Sequence, residues 1–261
     1  MLVCFGTERG GVRLGTVIAV TSGKGGTGKT TLSGGLGSCL AALGYKTLCM
    51  DCDVGMKNLD LVLGMTDISL MSFEDVMSGR VSLADGAVPH PEIEHLYFIT
   101  APSTITPESI QVEKMRELMN EVREEFDYCV IDGPAGIGAG FRLAAENADM
   151  AIIVAGGDSM SLRDGQRTTA ELNKLGVTNV KLVLNRVRKR LLNQLNANAD
   201  DMIDTVGAQL LGIIPEEEGI MKAGCTETPV VLTDDKNARE PFLRIARRVT
   251  GERVLLSKKF K

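Results

Sequence analysis

The apolar run VIAVTS leads into Gly23-Lys24-Gly25-Gly26-Thr27-Gly28-Lys29-Thr30 and then directly into the helix-forming TLSGGLGSCLAAL. A strand, a loop of GxxxxGK[ST] spacing and a helix in unbroken succession restrict the fold more than any other feature of the chain. Glycines let successive backbone N–H groups turn toward one point, and the helix start adds amides that have no partner within the helix. The loop is therefore read as a phosphate cradle. In it Lys29 balances charge on the outer phosphates of a nucleoside triphosphate, and Thr30 offers a hydroxyl to Mg²⁺. Gly23, Lys24, Gly25, Gly26, Thr27, Gly28, Lys29, Thr30 and Thr31 form the expected binding segment.

Apolar, β-branched runs recur at Val17–Thr21, Thr47–Met50, Leu96–Thr100, Tyr128–Ile131, Met150–Val154, Val180–Leu184 and Leu210–Ile214. Between them helical periodicity is expected over Thr30–Leu43, Pro107–Glu125, Gly140–Asn147, Leu162–Leu175, Val187–Thr205 and Ala238–Val249, with Gly44 and Gly176 as stops. Continuously apolar strands alternating with helices require both faces of a parallel sheet to be covered. The expected fold is α/β, a doubly wound and mostly parallel sheet with helices on both faces. No repeat or linker divides the chain, so residues 16–251 read as one ATPase-sized domain, 1–15 as an N-terminal extension and 252–261 as a basic tail.

Two further strands end in carboxylates. KTLCMD places Asp51 at a strand's C-terminal edge with Asp53 two residues on, and YCVID does the same for Asp132. In an open parallel sheet those edges converge on the ligand crevice. Asp132 is expected to hold Mg²⁺ through its water shell, and Asp51 or Asp53 to orient the attacking water, with Asp51 also a candidate for the metal. The segment 133–140, GPAGIGAG, is suited to a loop that orders around the γ-phosphate and relaxes afterwards.

Composition excludes several alternatives. The chain of 261 residues carries a net charge of −5, so its bulk balance attracts neither nucleic acid nor anionic lipid. No stretch reaches the apolar length of a membrane span or a signal-peptide core, and a cytoplasmic protein is expected. Six scattered cysteines fit buried thiols; the Cys49/Cys52 CxxC has no second pair to complete a metal site. That argues against a redox or cluster-carrying relative. His90 and His95, the only histidines, are expected in loops.

Lys24 precedes the phosphate-loop lysine, giving KGGTGKT, and this resembles the deviant Walker A motif of the MinD/ParA family. DCDVGMKNLDLVLG (51–64), DGPAGI (132–137), LVLNR (182–186) and GIIPEEEGIMKAGCTETPVV (212–231) look most like its MinD branch, over roughly 16–251. The resemblance implies an ATP- and Mg²⁺-dependent homodimer in which Lys24 reaches the partner's phosphates. It also implies that Asp53 helps activate water, that Asn58 belongs to a switch loop, that Asp164 pairs with Lys24 in one state, and that Asn185 and Pro215 border adenine. The implied partners are a division inhibitor resembling MinC and a topology factor resembling MinE or a polar scaffold, with peripheral attachment to the inner face of the cell membrane.

Arg244–Lys261 carries seven basic residues and one acidic. Phe242, Ile245, Ala246 and Val249 form one helical stripe expected to pack on the domain. Beyond Gly251 the tail VLLSKKFK sets Leu256 and Phe260 at i,i+4, a two-turn amphipathic segment that one copy binds to anionic membrane only marginally and two copies bind better. The rival expectation is a ParA-like or flagellar-number positioning ATPase acting through nucleoid DNA or protein, supported by Arg186, Arg188, Lys189 and Arg190. Nucleic acid is the less expected partner, since a charge run is usually a solvated face.

Overall fold

The computed structural model describes residues 8, 9, 12–66, 68, 71–103, 105–188 and 199–256. All seven expected strands form: β3 (Thr16–Ser22), β4 (Thr47–Asp51), β6 (Leu96–Ile99), β7 (Tyr128–Ala135), β8 (Met150–Ala155), β9 (Val180–Val187) and β10 (Gln209–Pro215). They pair in parallel in the order β10-β9-β8-β3-β7-β4-β6, and β5 (Val88–Pro89) closes one edge antiparallel to β6. A proline is tolerated there because an edge strand can forgo one ladder bond. The sheet order reverses around β3, which lies between β7 and β8, and such a reversal opens a crevice at the strands' C-terminal ends. Ahead of the sheet, β1 (Glu8–Arg9) and β2 (Val12–Arg13) pair antiparallel within the expected extension.

Both faces of the sheet are covered, which is why its strands are apolar throughout. Ile18 and Val20 of β3 pack with Leu32, Leu36 and Leu40 of α1 (Lys29–Ala42). On the opposite face Val17 joins Met115, Leu118 and Val122 of α5 (Val112–Glu125). Ala19 meets Phe141 of α6 (Ala139–Ala145), Leu172 of α7 (Ser159–Lys174) and Val206 of α8 (Ala199–Val206). Phe242, Ile245, Ala246 and Val249 of α10 (Lys236–Val249) are buried beside α1, as their stripe requires. Burying each large apolar side chain contributes about 1.5–3 kcal/mol. α1 and α10 meet closely: a Cβ on Gly35 would stand 2.4 Å from Phe242 Cδ1.

Several local expectations are corrected. Pro107–Glu125 is not one helix: a 3₁₀ turn over Pro107–Ser109 gives way to extended Ile110 and Gln111 before α5 starts. Ile110 is buried, and drawing it into the core straightens the chain there. Val187 belongs to β9 and not to a helix; the helix expected over Val187–Thr205 is seen from Ala199, and 189–198, with Lys189 and Arg190, lie outside the described residues. Short elements without a full period escaped the pattern: α2 (Leu59–Leu63), α3 (Phe73–Met77), α4 (Leu83–Gly86) and α9 (Glu218–Cys225).

The tail does not start as a helix. Residues 252–256 have no regular structure, with Val254 and Leu256 half-buried and Leu255 turned outward. Arg244 Nη1 donates to the Leu255 carbonyl at 3.0 Å, and Arg248 donates to the Val254 carbonyl through Nε at 2.9 Å and Nη2 at 2.7 Å. Residues 257–261, including Phe260, lie outside the described residues.

Candidate functional site

The glycine-rich loop lies at the C-terminal end of β3, where the sheet order reverses. Gly26 (φ 76°) and Gly28 (φ 90°) take left-handed conformations that a side chain resists, and these turn the intervening amides inward. Gly28 caps α1 with no side-chain bond, and the first turn of α1 holds no acidic residue. The first-turn amides, which no helix satisfies internally, are thus left without a side-chain cap, as an anion site requires. The Thr27 hydroxyl is buried and has no hydrogen-bond partner, a cost best relieved by a polar ligand.

Distant elements brace the loop. Asn185, at the end of β9, donates its Nδ2 to the Thr27 carbonyl at 2.8 Å, and a Cβ on Gly28 would lie 2.2 Å from that nitrogen. Ser22 Oγ donates to the Lys24 carbonyl at 2.6 Å, and Gly136 N–H donates to the Ser22 carbonyl at 3.0 Å, tying the loop to the segment after β7. Gly23 runs against Asp164, whose Cβ would be 2.5 Å from an added Cβ.

Lys29 is buried, and burial lowers its ammonium from the ordinary lysine value against the pull of Asp132 and Asp53. A desolvated cation here calls for a strongly anionic ligand. Asp132 accepts from Ser33 Oγ at 2.7 Å, and the nearby Thr30 hydroxyl also favours its carboxylate; burial still pushes its carboxyl up to about 6. Asp51 is its neighbour in register on β4 and is also buried. Its Oδ1 accepts from Asp53 N–H at 2.9 Å and its Oδ2 from Asn58 and Leu59 N–H, both at 3.3 Å. Both Asp51 oxygens are therefore engaged by the loop that carries Asp53 and Asn58. Burial, and then Asp132, raise Asp51 to about 7. Asp53 is half-buried, raised by that burial and lowered by Lys29.

In this structure Lys24 pairs with Asp158, not with Asp164, the partner the resemblance implies for one state. Its Nζ lies 3.5 Å from Asp158 Oδ1, while Asp164 faces Arg167 at 3.9 Å. Asp158 also caps α7, accepting from Ser161 N–H at 2.9 Å. A cavity of about 420 Å³ opens beside the loop, lined by Lys24–Thr27, Gly156–Asp158, Asn185–Arg188 and Glu216 among others. That is ample for a small ligand. Asn185 is on its wall; Pro215, next to Glu216, borders a separate small cavity shared with Leu256.

Two further site residues carry a local sequence signal. Ser33 follows Lys29 by four and so shares its helix face. Asp158 opens an Asp-x-x-Ser capping pattern ahead of α7. His90, expected in a loop, does lie between elements but is buried: Nε2 meets the Leu63 carbonyl at 2.8 Å, and Nδ1 accepts from the Glu92 and Ile93 amides, both at 3.0 Å. The Cys49 and Cys52 thiols are buried and free, as expected. Among the described residues no three His, Cys, Asp or Glu side chains are placed to hold a metal by themselves. Mg²⁺ suits such a place, because it keeps water and leans on substrate phosphates with one or two protein oxygens. Among the described residues no helix is long and apolar enough to cross a membrane.

A phosphate cradle at the reversal point of a doubly wound sheet, faced by strand-end carboxylates, defines a P-loop nucleotide-binding protein. The CobQ/CobB/MinD/ParA nucleotide binding domain matches residues 18–230. The septum site-determining protein MinD of Thermotoga maritima is 36% identical over 250 residues, covering 95% of this chain and 92% of that protein. Two solved structures are similar as well. The MinC:MinD cell division protein complex of Aquifex aeolicus aligns with a TM-score of 0.85 at 34% identity, covering 93% of this chain and 98% of that one. MinD of Pyrococcus horikoshii complexed with Mg-ADP aligns with a TM-score of 0.78 at 28% identity, covering 90% and 96%. The chain belongs to this nucleotide-binding family and, within it, to the MinD proteins, the ATPases of division-site selection.

Proposed function

We propose that the chain binds Mg·ATP in the 23–31 loop and uses binding and hydrolysis to switch between a free state and a paired state that engages partners. The observation that carries this is the buried Lys29 beside a loop with left-handed Gly26 and Gly28, an α1 start without a side-chain cap, and a buried Thr27 hydroxyl without a hydrogen-bond partner. Amides of the loop and the first turn of α1 hold phosphate oxygens, and Lys29 neutralises the outer ones. Thr30 and, through water, Asp132 are the groups that would hold Mg²⁺, which supplies charge neutralisation at the β- and γ-phosphates. Asp51 keeps the 53–59 loop against the sheet, so that Asp53 orients the attacking water. Asn185, on the cavity wall, borders the base.

Lys24 serves a second copy. Its ion pair with Asp158 is half-exposed and weak, so a partner's triphosphate can displace it at little cost. ATP thereby favours a homodimer, and hydrolysis releases it. Partner contact follows pairing: a division inhibitor like the MinC in the Aquifex aeolicus complex, and a topology factor resembling MinE or a polar scaffold. The basic C-terminus, duplicated in the dimer, attaches it to anionic membrane on the cytoplasmic side. Arg188, part of the basic run that suggested DNA, is paired with Glu216, which favours the membrane reading over the nucleoid one.

Calorimetry with Mg·ATP on wild type and Lys29→Ala tests the first step: uptake that Lys29→Ala leaves unchanged refutes it. Size-exclusion chromatography of Asp53→Ala with ATP against ADP tests the switch, an ATP-specific dimer being expected. Sedimentation with anionic vesicles tests attachment; equal pelleting with ATP, with ADP and after deletion of 254–261 refutes it.

A further inference from the structure

The 420 Å³ cavity runs across the sheet's C-terminal edge from the loop after β3, past Gly156–Asp158 after β8, to Asn185–Arg188 at the end of β9 and Glu216 after β10. β3 and β10 are three strand spacings apart, roughly 14 Å. An extended nucleotide with its phosphates at the β3 end therefore places its base between the ends of β9 and β10.

That far end is built around one ion pair. Arg188 meets Glu216 through two parallel bonds, Nη2 to Oε1 at 2.9 Å and Nε to Oε2. The backbone sets the pair up. Asn185 braces the phosphate loop through Thr27, its Oδ1 accepts Arg186 N–H at 2.9 Å, and Arg186 turns left-handed (φ 55°). The β9/β10 register shifts between Ile213 and Pro215, and Glu216 N–H donates to the Val187 carbonyl at 3.2 Å. Arg188 and Glu216 are thus brought opposite each other, with the arginine side chain 64% exposed. A two-bond fork holds a guanidinium in one plane, and its open face suits an aromatic ring.

We propose that Arg188 is a base-binding residue: its guanidinium, held flat by Glu216, stacks on the base of the bound nucleotide, and Glu216 is the positioning residue that fixes the plane. This rests on the reading of the 23–31 loop as the triphosphate site. The ligand contact it adds is to the base alone, so it separates from phosphate binding.

The test compares Mg·ATP with Mg·inorganic triphosphate by calorimetry on the full chain. Arg188→Ala is expected to weaken ATP about tenfold and triphosphate by less than about twofold, as loss of one stacking face would. Arg188→Lys, which keeps charge without a plane, should be as weak for ATP as Arg188→Ala. Glu216→Gln should weaken ATP by a smaller factor and add nothing in the Arg188→Ala background. Equal losses for ATP and triphosphate, or no loss, overturn the proposal. So does recovery of ATP affinity in the Arg188→Ala/Glu216→Gln double variant, which would assign the loss to an exposed Glu216 charge. A wild type that takes up triphosphate but no ATP overturns it as well, whereas one that takes up neither refutes the phosphate site itself.

Discussion

Asp51 and Asp132 end adjacent parallel strands as register partners, buried side by side beneath the phosphate loop. Burial raises both above the ordinary carboxylate value, Asp51 to about 7 and Asp132 to about 6. The folded state thus holds these protons more tightly than the unfolded chain. Their contribution to stability is present below about pH 4 and is lost as pH rises through 6 and 7. Asp132→Asn retains the shape and removes one charge. Urea denaturation of the nucleotide-free protein should find the variant more stable than wild type by on the order of 2 kcal/mol at about pH 8, with the gap closing toward pH 4. A gap independent of pH would contradict this assignment.

His90 has the opposite sign. Its Nδ1 accepts two amides, so the neutral ring carries its proton on Nε2 and donates to Leu63. Burial lowers its value from the ordinary histidine range. Stability from this ring is present above about pH 6.5 and is lost as pH falls through the lowered folded value. At about pH 7.5, His90→Ala should cost about 1–3 kcal/mol, because two amides and a carbonyl lose their partner. The deficit should shrink in chemical denaturation at about pH 5; a constant deficit would mean the ring acts by packing alone.

Gly35 lets α1 approach Phe242 of α10. Alanine is the better helix former by up to about 1 kcal/mol, yet overpacking a filled core costs about 1–3 kcal/mol. The contact wins, and Gly35→Ala should lower the melting temperature. Adding Phe242→Leu should recover part of the loss. An unchanged or raised melting temperature for the single variant would show that Phe242 yields freely.

Arg248 holds the start of the tail through the Val254 carbonyl and reaches back to the Leu211 carbonyl of β10. Lysine cannot reproduce a fork that serves two carbonyls. Arg248→Ala and Arg248→Lys should both speed tryptic cleavage after Arg253 while leaving Mg·ATP uptake intact. Cleavage at the wild-type rate in both would show that the docked segment is held by Val254 and Leu256 instead.

Much of the architecture could be read from residue order alone. Seven apolar runs announced a covered parallel sheet, because strands buried on both faces have no polar side to alternate with. The phosphate loop, too, is a local object: GKGGTGKT encodes its own turns through Gly26 and Gly28 and its own helix start. What no local pattern carries is the choice among charged partners. Lys24 could face Asp158 or Asp164, both near the start of α7, and only the packing of Gly23 on Asp164 and the capping position of Asp158 decide it. Asn185 reaches Thr27, and Arg188 reaches Glu216, because β9 and β10 happen to end on the same side as β3. The tail's opening residues likewise have no regular structure and are held by Arg244 and Arg248 through the Leu255 and Val254 carbonyls. Sequence determines where strands, loops and helices arise through short-range sterics and hydrophobic period; sheet order alone decides which polar ends meet, since that proximity is created by burial between segments far apart in the chain.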